Sequence, residues 1–258
     1  MSGSILRTVC LAAAVLYYAA FALSFLKKPV VVRIAHILWI SGAALNGMIV
    51  ANNWIANGYV PFVSMYQVLT FLGVTFSFVY IYIRYLCGGA FMKRYFMLLQ
   101  AVILVGVCCM DQNAVWHFPP ALQSVYFIPH VLSYMIAYSL TAVAAILSVL
   151  SFIRKGETQK LYREGVYNLA RTGFPFSVLG TLLGALWANA CWGKYWSWDL
   201  KEAWALLTVL SLGIYLHFRR QESLRKYAEW FVILAFAFEI VTLLFVGMFG
   251  GDSVHAYS

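Results

Sequence analysis

Charge is scarce in this sequence. Asp, Glu, Lys and Arg together make up 10% of its 258 residues, where a water-soluble domain carries about 25%. Runs that alternate apolar and polar residues are also missing, which argues against a membrane β-barrel. The five cysteines (Cys10, Cys87, Cys108, Cys109, Cys191) include no C-x-x-C pair and no C-x-x-C-H haem-attachment motif. Cys108 and Cys109 are adjacent and poorly placed for an ordinary disulfide. The cysteines read as apolar packing residues. There are no internal repeats and no low-complexity segments.

What fills the chain instead is apolar. Hydrophobic residues make up 63% of it and its mean hydropathy is +0.80. Eight runs, at about 5–26, 31–51, 66–86, 91–110, 125–153, 171–191, 203–219 and 226–249, are long enough to cross roughly 30 Å of hydrocarbon as helices. The expected fold class is an all-α polytopic membrane protein of about eight transmembrane helices, one integral membrane domain over 1–258. The first run resembles a signal peptide at Ala20-Phe21-Ala22. Its n-region carries only Arg7, and Lys27-Lys28 follow it directly, so it reads as an uncleaved span.

Of the 18 Lys and Arg residues, all but Arg7, Lys194 and Lys201 fall in the loops of one side. By the positive-inside rule that side is cytoplasmic, and both termini lie outside, in the periplasm or its equivalent. The net charge of +9 is thus a topology signal, and no nucleic-acid partner is implied. The loop at 154–170 reads as a solvated connection.

One outer loop dominates. Five of the nine tryptophans lie between 187 and 204, around Trp192-Gly193-Lys194-Tyr195-Trp196-Ser197-Trp198-Asp199-Leu200-Lys201-Glu202. An aromatic belt accounts for one or two of them. A dense cluster interleaved with Gly, Ser and Asp suits a flat platform for a flat ligand. Asp199 and Glu202 fit a capping box that opens the seventh span and fixes the angle at which Trp196 and Trp198 leave the loop.

Of the five histidines, His130 follows Pro129 at the outer end of the fifth span, and His255 lies beyond the outer end of the eighth. If spans five and eight meet, two imidazoles converge on the platform. Two imidazoles make a six-coordinate haem iron site, indole rings suit porphyrin faces, and Lys194 or Lys201 could pair with propionates. Taken singly, each histidine is also an ordinary interfacial residue. His217 is 18 residues beyond Asp199, about 27 Å of helix, just before Arg219-Arg220. It is either a second ligand position nearer the cytoplasm or a side chain snorkelling at a helix end. Glu239, mid-span, is either functional or a buried structural carboxyl. His36 and His117 read as structural.

These residues carry a family likeness. The stretch from Trp192 to Glu202 resembles the signature of haem-handling membrane proteins with a tryptophan-rich "WWD" domain, here the loop 187–204, and looks most like the CcsA (ResC) branch of cytochrome c biogenesis. Asn57-Gly58-Tyr59-Val60-Pro61 through Tyr66, Pro120-Ala121-Leu122-Gln123-Ser124 through His130, and His255-Ala256-Tyr257 are similar to further family segments. The resemblance implies that haem b is held by His130 and His255 above the platform of Trp192, Gly193, Tyr195, Trp196, Trp198 and Asp199. It also implies that His217 binds haem on its way from the inner side. The implied activity is that of the haem-presenting subunit of a cytochrome c synthase, holding reduced haem for thioether attachment to Cys-x-x-Cys-His of apocytochrome c. The implied partners are a CcsB (ResB) membrane protein, apocytochrome c and a thiol-reducing protein that serves it. Leu200 stands where the family motif has proline, and Gln67 where glutamate is usual.

Three other readings compete. A haem exporter or chaperone without a part in ligation needs the same pocket. A redox protein of the cytochrome b type places paired histidines inside helices on both sides, whereas here only His217 and His36 lie in spans. A generic transporter wants charges or broken helices at mid-membrane, and few are present.

Overall fold

The computed structural model describes residues 3–112 and 118–245. His117 and His255 lie outside them, and with His255 one of the two expected outer ligands. Among the described residues all regular structure is helical. The helices are α1 Gly3–Leu23, α2 Pro29–Asn57, α3 Met65–Cys87, α4 Lys93–Cys108, α5 Phe127–Ile153, α6 Glu157–Trp192, α7 Leu200–Arg220 and α8 Arg225–Ile240. Each overlaps one expected span, and the protein is an all-α integral membrane protein. The stretch expected as a solvated connection, 154–170, is instead mostly helix: α6 starts at Glu157, and Val166, Leu169 and Ala170 are buried because its apolar face continues below the expected span. Three helices stop where the sequence supplies a left-handed glycine. Gly58, Gly88 and Gly193, at φ 73°, 69° and 71°, end α2, α3 and α6 and donate their N–H groups back to Trp54, Arg84 and Asn189.

Seven of the eight helices are long and apolar enough to cross a membrane. The exception is α7. Lys201 and Glu202 stand in its first turn and His217, Arg219 and Arg220 in its last, so its apolar middle is shorter than that of its neighbours.

Helices α1–α4 form one compact unit and α5–α8 a second. In the first, α1 packs on α2 and α4, and α3 on α2 and α4. Its centre is polar. Gln100 of α4, fully buried, accepts from Trp39 Nε1 of α2 at 3.0 Å and donates to the Gly73 carbonyl and Ser77 Oγ of α3 at 2.9 and 2.7 Å, with Tyr17 of α1 at 3.3 Å. One amide therefore meets all four helices, which is how a polar side chain survives in a dry interior. Beside it, buried Asn46 of α2 is satisfied when its amide nitrogen donates to the Thr70 carbonyl at 3.1 Å and its oxygen accepts from the Val74 N–H at 3.2 Å. Gly73 makes room for it, since a Cβ there would lie 2.5 Å from the Asn46 amide. The start of α3 is fixed by a capping box. Gln67 Oε1 accepts from the Val63 and Ser64 N–H groups at 2.9 and 3.4 Å, and Ser64 Oγ accepts from the Gln67 N–H at 3.2 Å. The amide thus does locally what a glutamate would do.

In the second unit α5 lies along α6, α7 along α8, and α8 also against α5. Gly156, at φ 65°, turns the chain between α5 and α6. The α5–α6 seam is antiparallel and built on small residues. A Cβ at Gly173 would meet Leu140 at 3.3 Å, one at Gly180 would meet the Tyr134 ring at 3.0 Å, and one at Gly184 would meet the His130 ring at 2.7 Å. Glycine here lets a leucine and two ring side chains of α5 press against the α6 backbone. At the other end, Arg163 of α6 and fully buried Glu229 of α8 pair at 3.2 Å without the alignment of a hydrogen bond. Beyond Ile240, α8 widens into a π-helical turn, Val241–Phe245. Glu239, just before that turn, is buried, and neither carboxyl oxygen has a hydrogen-bond partner among the described residues.

Candidate functional site

His130 stands in the first turn of α5, where Pro129 costs no helical hydrogen bond because the first N–H groups have no partner to lose. Its imidazole is held on three sides. Nδ1 lies 2.8 Å from the Gly180 carbonyl oxygen of α6. The Tyr134 ring meets it edge-on at 5.1 Å, and Trp187 lies tilted at 5.6 Å. A carbonyl oxygen can only accept, so Nδ1 carries the proton and donates it. The ring is thereby fixed in the tautomer whose basic nitrogen is Nε2, the form a metal-ligating histidine takes. Tyr134 is tied in turn through its hydroxyl to Thr181 Oγ1 at 2.9 Å.

Trp187 links this histidine to the tryptophan stretch. It is buried, and its ring lies 5.2 Å from both Phe127 and Trp192. Helix α6 ends at Trp192, and Gly193 turns the chain out of it. Beyond that point the aromatic faces open outward. Tyr195 is 58% exposed and Trp198 72%, while the half-buried Trp196 meets Trp198 edge-on at 5.8 Å. The Trp196 indole N–H is buried with no hydrogen-bond partner among the described residues. Trp198 adopts φ 59°. A bulky side chain in the left-handed region is a genuine outlier, costing about 1–3 kcal/mol and found mostly at binding and catalytic sites.

A carboxylate holds the loop in this shape. Glu202 Oε2 accepts from the Ser197 N–H at 2.7 Å, the Ser197 hydroxyl at 3.2 Å and the Asp199 N–H at 3.3 Å. Asp199 Oδ1 answers by accepting from the Glu202 N–H at 2.8 Å. The expected capping box is therefore present, and it reaches further back than expected, to Ser197. Leu200 takes the first helical position of α7, directly after the Asp199 cap.

The structure brings His130, Trp187 and Trp192 into one cluster, and joins Trp196 to Trp198. His217 is elsewhere, in the last turn of α7, where the Gln221 side-chain amide nitrogen lies 2.8 Å from its Nε2. Sequence reading missed the glycines that seat His130. Their signal was present as Gly180 and Gly184, four apart in an apolar helix, a spacing that marks close helix approach. Among the described residues no three His, Cys, Asp or Glu side chains gather as a bare-metal site.

A family model described as cytochrome C assembly protein matches residues 62–251. The chain belongs to the cytochrome c assembly protein family. Among named relatives, the cytochrome c biogenesis protein CcsA of Chlamydomonas reinhardtii is 31% identical over 229 residues, which cover 79% of this chain and 62% of the relative. The proteins of that name from Guillardia theta and Nymphaea alba are each 29% identical, covering 81% and 83% of this chain and 80% and 82% of their own lengths. The chain thus spans 62% of the length of the Chlamydomonas relative and about four fifths of the other two. Membership of the cytochrome c assembly family places the protein in cytochrome c biogenesis, at a membrane. The match takes in the whole second unit as described and α3 and α4 of the first, so His130, the tryptophan stretch and His217 all fall inside it.

Proposed function

We propose that this chain holds reduced haem b against the tryptophan stretch on the outer side of the membrane and presents it to apocytochrome c. His130 and His255 are its iron ligands. The observation that carries this reading is the seating of His130, whose protonated Nδ1 is held by Gly180 so that Nε2 is left as the electron-pair donor beside Trp187 and Trp192. The exposed faces of Tyr195 and Trp198 suit the flat sides of a porphyrin. The haem supplies the iron and the vinyl groups. Each thioether forms when a cysteine S–H of the apocytochrome adds across a vinyl double bond, the sulfur bonding to one carbon and the hydrogen to the other. No oxidant or reductant is consumed in that addition. This chain's part is to bind, orient and exclude water, with the reactive groups belonging to cargo and substrate. A CcsB-type membrane protein completes the synthase, and the thiols must arrive reduced. The placement of basic residues supports an outer position for both termini and the loop.

The absorption spectrum of the detergent-purified protein, co-expressed with its CcsB-type partner, tests the assignment against the His130→Ala/His255→Ala variant. A low-spin reduced spectrum in the parent that the double variant loses, and that added imidazole restores, is the expected result. Haem retained unchanged in the double variant removes both ligands from the proposal. Reconstitution with apocytochrome c then separates synthase from chaperone, since only the synthase yields thioether-linked haem.

A further inference from the structure

A half-open concavity lies between α6 and α7, at the end of the second unit away from the tryptophan stretch. It holds about 330 Å³ and is lined by Tyr167 and Arg171 of α6 and Leu216, His217 and Arg220 of α7. That volume is at the lower end of the range for small-molecule sites, about 300–1,000 Å³. Depth is the first clue to what enters it. Arg220 ends α7, a helix of 21 residues, and Arg171 lies about 21 residues before the Trp192 end of α6. At about 1.5 Å per residue, both guanidiniums stand roughly 30 Å from the tryptophan stretch, one hydrocarbon thickness away and so at the opposite headgroup layer. Charge is the second clue. The ion pairs among the described residues are Lys160–Glu157 and Arg163–Glu229, so no carboxylate described there neutralises Arg171 or Arg220. Arg171 is already ordered, its guanidinium 5.3 Å over the Tyr167 ring and its Nη2 3.5 Å from Asn168 Oδ1. His217 is tied within the fold, its Nε2 accepting from the Gln221 amide at 2.8 Å.

The third clue is the surface that leads away from the concavity toward mid-membrane. On α6 it carries exposed Leu179 and Leu182, and on α7 exposed Ile214 and Leu210. Spacings of i+8 and i+11 from Arg171, and of i−3 and i−7 from His217, put them on the faces that hold those two residues. We propose that the concavity binds the phosphate of an anionic phospholipid, with Arg171 and Arg220 donating to its oxygens and the acyl chains running along these leucines and Ile214. A guanidinium fork matches two oxygens of one phosphate, and basic pockets between membrane helices on the cytoplasmic side are where anionic headgroups bind. A soluble phosphate offers the same oxygens but gains nothing from the apolar track. The bound lipid would join the ends of α6 and α7 opposite to those that carry the tryptophan stretch, and so brace the two helices that frame it. The inference is independent of the haem reading.

The test uses the full chain in nanodiscs of phosphatidylcholine and phosphatidylglycerol in equal amounts. Lipids retained on release into detergent are counted by native mass spectrometry. The parent is expected to keep phosphatidylglycerol at least tenfold over phosphatidylcholine. Arg171→Gln/Arg220→Gln should bring the ratio close to one, each single glutamine variant should fall between, and Arg171→Lys/Arg220→Lys should recover part of it. Arg154→Gln/Lys155→Gln removes two exposed charges at the start of α6, outside the concavity, and should leave the parent ratio unchanged. A ratio near one in the parent overturns the site, as does a ratio that survives in the glutamine pair. An equal loss in the Arg154→Gln/Lys155→Gln control also overturns it, because diffuse surface charge then accounts for the preference. Should the glutamine pair fail to reconstitute, the two single variants decide by the same ratio. Inorganic phosphate separates the two sources of the anion. If millimolar inorganic phosphate displaces the retained phosphatidylglycerol, the concavity is a soluble-anion site and the lipid assignment is wrong.

Discussion

At the scale of single residues, the site turns on a contact that only glycine permits. A methyl group at position 184 would sit 2.7 Å from His130 Cε1 and 2.8 Å from Nδ1, well inside any tolerated approach, and would drive the ring off the Gly180 carbonyl. Gly184→Ala is therefore expected to weaken haem binding at the tryptophan stretch by at least tenfold and to mimic His130→Ala in its absorption spectrum. Gly106→Ala is the matched control. Nothing lies within 4 Å of a Cβ there, and alanine in this last turn of α4 should leave the fold and the spectrum unchanged. Equal spectra for Gly184→Ala and the parent would show that the ring has another seat. Trp198 carries the opposite tension. Glycine at 198 relieves a left-handed backbone that tryptophan tolerates poorly, so Trp198→Gly should raise the unfolding midpoint while lowering haem retention. A midpoint that falls instead would mean that packing of the indole outweighs the strain.

At the scale of elements, the two capping boxes form an internal comparison. Glu202 serves three donors at the head of α7, and Gln67 serves two backbone N–H groups at the head of α3. Glu202→Ala should cost about 1–2 kcal/mol and loosen the loop. Glu202→Gln should cost less than half as much, because the α3 box already works with an amide. Thermal unfolding in detergent, with haem occupancy read alongside, measures both. Gln100→Leu should be worse than either, at about 1–3 kcal/mol for a buried polar group left unpaired, because the Trp39 N–H loses its acceptor and Ser77 Oγ loses a donor in a four-helix centre. These elements differ in how far the sequence announced them. The helices were legible from hydropathy, and the α7 box from Asp199 and Glu202 three residues apart, because both depend on neighbours along the chain. The Gln100 hub and the seating of His130 depend on register between helices. No local pattern carries that, so the glycines at 180 and 184 and the polar residue at 100 stood in the sequence without visible partners.

At the scale of the whole molecule, charge is distributed for orientation rather than for catalysis. Fifteen of the 18 basic residues lie on the side read as cytoplasmic, and the proposal needs the tryptophan stretch on the opposite side from the start of α6. In a cysteine-free background, Gln159→Cys and Lys194→Cys should therefore label from opposite sides with a membrane-impermeant maleimide. Gln159→Cys is expected to react only after the cytoplasmic face is opened. Labelling of both from one side would place haem presentation and the basic loops together and remove the outer assignment. A third probe, Glu222→Cys beyond the end of α7, extends the experiment to that helix. Its apolar middle is short, yet it must cross if Lys194 and the Arg219-Arg220 end are to lie on opposite sides.

The bond between His130 and Gly180 also has a consequence in time. Fifty residues separate the two partners, so His130 leaves the ribosome ahead of the carbonyl that orients it. Until α6 is inserted and folded back along α5, the imidazole turns freely and its two nitrogens exchange roles. A half-made chain therefore carries the histidine without its fixed tautomer. That arrives with closure of one hairpin, so the orientation of a single ring reports whether α5 and α6 have met.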